Sequence, residues 1–176
     1  MDVDIGQIVY SQWLNLDGGI EADVTVTRTA SDEFMVVAPC ASERRDGEWL
    51  RRHAKAFDCV VRQDRDIAII GVMGPKSTEL LTRVLSGSPA IDALPYYRSG
   101  QFQYDATKVR ANRLSYVGER GYELYLHRDE AVAMWQQLMP KGADLGITPA
   151  GFHAMNACRM EKGYRHWGHD IYDHIT

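Results

Sequence analysis

Strand-like stretches of apolar and polar residues lie near 23–29, 33–38, 58–62, 66–72, 108–116 and 121–126. In the first, Val24 and Val26 would face one side, and Asp23, Thr25 and Thr27 the other. Gly18 and Gly19 turn the chain just before it. A spacing near 3.6 marks four helices between the strands. The first, 42–56, starts at Ser42 as N-cap and sets Trp49, Leu50 and Ala54 on one face. The second, 75–86, starts at Pro75 and carries Leu80, Leu81, Val84 and Leu85. The third, 129–139, aligns Val132, Trp135, Leu138 and Met139. The fourth, 149–162, runs from Thr148–Pro149 to a stop at Gly163.

Helices that alternate with pairs of strands predict an α+β fold rather than a doubly wound parallel sheet. The β-α-β-β order suggests a split, ferredoxin-like element. Two subdomains are expected, about 1–60 and 61–176. Strand-like chain begins almost at residue 1, and HWGHDIYDHIT still carries apolar and aromatic residues at the other end. The chain therefore reads as a piece of a longer protein.

Composition narrows the classes. The chain has 176 residues, 45% hydrophobic and 25% charged, with a net charge of −4. It contains no basic block of the kind that nucleic acid attracts. It has no apolar run long enough for a bilayer and no leader pattern at MDVDIGQIVY. The expectation is a cytoplasmic protein, or one of the mitochondrial matrix in a eukaryote. Cys40, Cys59 and Cys158 are far apart without a CxxC, which suits buried thiols in a reducing compartment.

Several motifs invite chemistry. GVMGPKS (71–77) lacks the Gly-Lys pair and spacing of a phosphate loop, and reads as a strand-to-helix turn. His166, His169, Asp170, Asp173 and His174 are metal-ligand types but match no closed ligand set, so no metal is assigned. SYVGERGYELYL (115–126) places Glu123 and Tyr125 opposite Tyr122, Leu124 and Leu126. By pattern alone, Glu123 and Asp23 belong to a solvated outer face. The alternative is a pocket in which a carboxylate accepts hydrogen bonds from a planar ligand with adjacent N–H donors.

Four stretches, in order, resemble the aminomethyltransferase family, the T-protein of glycine cleavage and its relatives: YSQWLNLDGGIEADVTVTR (10–28), IGVMGPKS (70–77), SYVGERGYELYL (115–126) and ACRMEKGYRHWGHDI (157–171). EKGYRHWGHDI (161–171) and SYVGERGYELY (115–125) especially resemble the tetrahydrofolate-binding half of sarcosine and dimethylglycine dehydrogenases. The resemblance implies an incomplete folate-binding domain of α+β subdomains, without the family's first segment and its C-terminal β-barrel cap. It implies tetrahydrofolate as cofactor, with FAD only in a missing dehydrogenase domain or subunit, and an N-methyl amine as donor.

By that resemblance, Asp23 is the catalytic acid beside the reactive folate nitrogens, in a cavity shared with Glu123. Glu123 grips the pterin, Tyr10 and Tyr116 surround the ring and its linker, and Tyr164 lies near the site. The implied product is 5,10-methylene-tetrahydrofolate. Two departures argue against glycine cleavage itself. Met155 stands where those proteins tend to carry Arg, and Ala38-Pro39-Cys40 follows the strand that often ends there in Asn. Both bear on contacts to the folate tail. Arg159 reads as a packing or ion-pairing residue. The Cys of the Lys-Gly-Cys-Tyr motif of non-catalytic folate-binding relatives is missing at Lys162-Gly163-Tyr164. Glycine-cleavage aminomethyltransferase, folate-dependent O- or S-demethylase and non-catalytic binder remain the alternatives, and the isolated chain is expected to be inactive.

Overall fold

Seven strands and four helices form two antiparallel sheets in a computed structural model that describes residues 2–87 and 89–174. Ile175 and Thr176, the end of HWGHDIYDHIT, lie outside the described residues. The described residues divide into two compact units, 2–8 with 66–164, and 9–65 with 165–174. The segments 2–8 and 165–174 thus group with the part of the chain farther from them in sequence. Local sequence carries no signal for that exchange.

The smaller unit holds β1 (Ile8–Leu14) from Val9 onward, β2 (Ile20–Arg28) and β3 (Phe34–Val37) in the order β1-β2-β3, followed by α1 (Glu43–Ala54). The β1–β2 turn is set by Asn15, whose Oδ1 accepts from the amides of Asp17 and Gly19 at 3.0 and 2.7 Å. Gly18 has φ +84°, and a Cβ at Gly19 would fall 1.7 Å from the Asp173 carbonyl oxygen. The double glycine is thus required by conformation at one position and by close approach at the other.

The larger unit is built on β4 (Ile67–Met73), β5 (Ser99–Tyr104), β6 (Thr107–Asn112) and β7 (Gly121–His127), in the order β4-β7-β6-β5. Helix α2 (Ser77–Val84) links β4 to β5, with β7 and β6 inserted between those two strands, which gives the split arrangement. Helices α3 (Ala131–Lys141) and α4 (Phe152–Glu161) follow. One face of the sheet contributes Val72, Phe102, Val109, Ala111, Tyr122, Leu124 and Leu126 to the core, with Leu80 and Leu81 of α2 and Met134 and Leu138 of α3. Burying these side chains is what holds the unit together.

Several local expectations change. The 58–62 stretch forms no strand, because no other segment pairs with it. Strand β5, SGQFQY, has only Phe102 fully apolar and buried, so its alternation is faint. Helix α2 begins at Ser77, with Pro75 in the turn before it, and α4 begins at Phe152. The buried side chains of α3 are Met134 and Leu138, while Val132 is 66% and Trp135 44% exposed. The three cysteines are free and exposed, against the expectation of buried thiols. Cys40 lies in the turn before α1, Cys59 after it, and Cys158 on the open side of α4. None of the described helices is long and apolar enough to cross a membrane.

Candidate functional site

Asp23 sits in β2, the central strand of its sheet. Ala22 and Val24 are buried on one face. On the other, Asp23 and Thr25 are half-buried and Thr27 is fully buried, so this is not a solvated face. The neighbouring strand β1 brings Tyr10 over it, and the Tyr10 hydroxyl donates to Asp23 Oδ2 at 2.7 Å. Burial holds the Asp23 carboxyl above the usual carboxylate range. The Tyr10 hydrogen bond and the charge of His166 oppose that effect without cancelling it. The carboxylate is therefore an acceptor with one oxygen committed, in a place that penalises its charge.

What fixes this stretch of β2 was missed by sequence reasoning. Strand β3 pairs only with Thr25–Arg28, so the first half of β2 extends beyond it. There Trp167 Nε1 donates to the Ile20 carbonyl at 2.7 Å, and Arg45 Nη2 to the Glu21 carbonyl at 2.5 Å. The Arg45 guanidinium lies 3.7 Å from the Trp167 ring centroid, a cation–π contact. It also pairs with Asp46 Oδ1 at 2.8 Å. Asp46 is the buried residue of α1, with the Ser42 hydroxyl 2.5 Å from its Oδ2. Ser42 does occupy the N-cap position, yet its hydroxyl serves Asp46 rather than the helix backbone, and Trp49, Leu50 and Ala54 are only half-buried.

Trp167→Phe keeps an aromatic face for Arg45 but leaves the Ile20 carbonyl without the indole donor. It should cost about 1–2 kcal/mol of stability, read as a lower denaturant midpoint. An unchanged midpoint would mean that the clamp adds nothing to the fold.

Glu123 belongs to β7 of the larger unit. Its register partners are Gly71 on β4 and Asn112 on β6. Tyr122, Leu124 and Leu126 fill the core, as the alternation requires, and Glu123 and Tyr125 take the opposite face. Around Glu123 that face is only partly solvated. Glu123 is half-buried, Tyr125 is buried and Asn112 completely so. The Tyr125 hydroxyl donates a short hydrogen bond to Glu123 Oε2. Burial holds the Glu123 carboxyl above its usual range, and the Tyr125 bond partly offsets this. Beside it Gly71 is exposed, and a Cβ there would meet only Met73 Cε, at 3.6 Å. The strand next to Glu123 therefore leaves room for a flat group.

Tyr116 and Tyr164, both assigned from sequence, lie in this same unit with their rings stacked at 6.2 Å and 18°. Tyr164 follows the Gly163 stop of α4, where φ is +73°. Arg159 holds it: Nη1 donates to the Tyr164 carbonyl at 2.9 Å, and Nε to Asn156 Oδ1 at 2.8 Å. Arg159 is thus a buried hydrogen-bonding residue that closes the helix end. Tyr96, unassigned by sequence, joins the cluster. Its hydroxyl is pushed up to about 12 by burial and by Tyr97 and Tyr164.

Of the five assigned residues, Tyr10 and Asp23 meet in the smaller unit, and Glu123, Tyr116 and Tyr164 belong to the larger. Sequence reading missed Asn112 and Tyr96, and gave no role to Tyr125. Their only signal was the period-two position of Asn112 and Tyr125 on the Glu123 face. Among the described residues no group of three or more His, Cys, Asp or Glu could hold a metal ion. In the C-terminal histidine cluster, Asp170 Oδ2 accepts from the His166 amide at 2.9 Å, and the His166 and His169 rings sit 4.5 Å apart.

The family model described as the GCVT N-terminal domain matches residues 1–176. A 4-methylaminobutanoate oxidase (formaldehyde-forming) of Paenarthrobacter nicotinovorans is 40% identical over 97% of this chain, which spans 21% of that protein. An aminomethyltransferase of Halothermothrix orenii is 36% identical over 94% of the chain and 46% of its own length. The glycine cleavage system aminomethyltransferase T of Bartonella henselae superposes with a TM-score of 0.87 at 29% identity, covering 99% of this chain and 45% of that one. The chain thus spans less than half the length of these relatives.

Proposed function

Because the chain belongs to the GCVT N-terminal domain family, we propose that it binds a reduced folate and supports transfer of a one-carbon unit from an N-methyl amine. The observation that carries this reading is Glu123, a half-buried acceptor on a partly dry sheet face, flanked by the open row at Gly71. A pterin presents a ring N–H and an amino group side by side, and a carboxylate is the acceptor that fits such a donor pair. The residues present therefore suit the group. Glu123 binds and orients it, and Tyr116 and Tyr164 supply aromatic faces.

Tetrahydrofolate, when bound, supplies the nitrogens that carry the one-carbon unit. Asp23 contributes a fixed negative charge where positive charge develops, and can hold a proton at Oδ1, since Oδ2 accepts from Tyr10. Tyr10 keeps the carboxylate in one orientation, so little reorganisation accompanies the step.

Two observations support the N-methyl amine as donor. Met155 stands on α4 where glycine cleavage proteins tend to carry Arg. The oxidase at 40% identity is named for an N-methylated amino acid. In this reading a flavin-dependent domain or subunit oxidises the amine and passes the carbon on. The aminomethyltransferase relatives favour a second reading, in which the donor is the aminomethyl group of glycine cleavage. Calorimetric titration of the intact protein with tetrahydrofolate tests the binding. Product analysis with N-methyl amine and aminomethyl donors tests the reaction. Saturable binding together with 5,10-methylene-tetrahydrofolate from the N-methyl amine is the expected result, and absence of folate binding would remove the proposal.

A further inference from the structure

Glu123 does not stand alone on its sheet face. Asn112 is its register partner on β6, and Tyr125 follows it on β7. Both are buried where the sequence pattern would expose polar groups, and burying such groups is costly unless each finds a partner. The Tyr125 hydroxyl finds one on each side. The Asn112 side chain hydrogen-bonds the Tyr125 hydroxyl, and that hydroxyl donates to Glu123 Oε2. Among the described residues no hydrogen bond reaches Oε1 of Glu123.

We propose that Asn112 and Tyr125 are positioning residues that hold Glu123 ionised and in one rotamer, with Oε2 committed to the protein and Oε1 left for the ligand. The ligand's identity as a reduced folate rests on the function proposed above; the chain of hydrogen bonds does not. Two physical effects follow from it. A Glu side chain loses rotamer freedom when it binds, and a carboxylate already held by Tyr125 has less to lose. A protonated Glu123 would present an O–H toward a ligand that is itself a donor, so binding depends on keeping the charge. Tyr125 supplies a donor for that charge where burial works against it.

On β6, Arg110 is in register with Tyr125 and donates to Ser99 Oγ at 3.1 Å, and Lys108 lies beyond it. On β7 the exposed His127 is two residues on. On β4, Gly71, Ile69 and Ile67 oppose Glu123, Tyr125 and His127 and carry no titrating group. The hydroxyl of Tyr125 is the donor in contact with the carboxylate.

The test uses the intact protein and Tyr125→Phe, with Asn112→Ser as a second variant should the first fail to fold. Infrared titration of the ligand-free protein follows the protonated-carboxyl band that Glu123→Gln abolishes. Its midpoint should move up by about one pH unit in either variant, the effect of losing one hydrogen bond to a charged acceptor. Affinity for 5-formyl-tetrahydrofolate should fall about tenfold at neutral pH and further as the pH is lowered. A midpoint that stays at the wild-type value in both variants overturns the proposal. A midpoint that moves while the wild-type protein takes up no reduced folate supports the positioning of Glu123 and overturns the folate reading instead.

Discussion

Asp23→Asn should slow formation of 5,10-methylene-tetrahydrofolate by about 10²–10³-fold, the loss expected on removing one preorganised electrostatic partner of a developing charge. Folate affinity should change by no more than about threefold, because the Tyr10 hydroxyl can donate to the Asn oxygen as it does to Oδ2. The pH profile adds a second signature. Burial holds the Asp23 carboxyl above the usual range, so its ionised fraction falls as pH drops through that raised value. The wild-type rate should fall with it, and the Asn variant should lack that acidic limb. Single-turnover measurements at saturating folate separate the chemical step from binding. A variant with unchanged turnover would place Asp23 outside the mechanism.

Glu123→Gln should act on binding instead. Replacing a charged acceptor by a neutral amide removes a charge-assisted hydrogen bond worth about 1.5–3 kcal/mol, or roughly 10–100-fold in folate affinity. The stability of the ligand-free protein should move the other way. The folded-state pKa of Glu123 is raised, so the stability that its protonated form contributes is present at low pH and is lost as pH rises through the folded value. At neutral pH the native protein carries a desolvated charge, and Gln does away with it. Thermal unfolding at neutral pH should therefore show a midpoint equal to or above wild type. Weak binding by a protein at least as stable as wild type identifies Glu123 as a ligand contact. Weak binding with a lowered midpoint would mark it as structural, and calorimetry showing unchanged affinity would end the pterin assignment.

The opposing signs have a common origin. A carboxylate held in a half-buried place costs the fold something, and that cost offers a ligand with matched donors something to relieve. The same reasoning covers Asp23 beneath Tyr10. It does not cover Asp46, which is more deeply buried but already has Ser42 and the Arg45 guanidinium as partners. Asp46 belongs to the clamp on the start of β2, while Asp23 and Glu123 each retain an oxygen without a protein donor among the described residues.

Strand β7 was readable because Tyr122, Leu124 and Leu126 repeat at every second position, and burial of one face is a local property of that pattern. Strand β5 was not, since Gln101 and Gln103 hide a single buried Phe. The run at 58–62 has strand composition but no partner, and pairing is a property of two segments. Helix α3 has apolar residues on more than one face, so its period picked out Leu138 correctly but set Val132 and Trp135 beside it, where packing against the sheet selected Met134.

The sequence by itself determined the α+β class, the helix stop at Gly163, the double-glycine turn before Asp23, the two faces of β7 and, through four ordered motifs, the family. Each of these is written in residues close together along the chain or in their order. Only the tertiary structure decided that both carboxylates lie on half-buried faces, that Tyr10 and Tyr125 are their donors, and that Asn112 stands behind Tyr125. A pattern of apolar and polar positions tells which face of a strand avoids water. It cannot tell what covers the other face, because that depends on segments distant in sequence, and on this such polar faces the cover decides whether an acid is solvated or poised to bind.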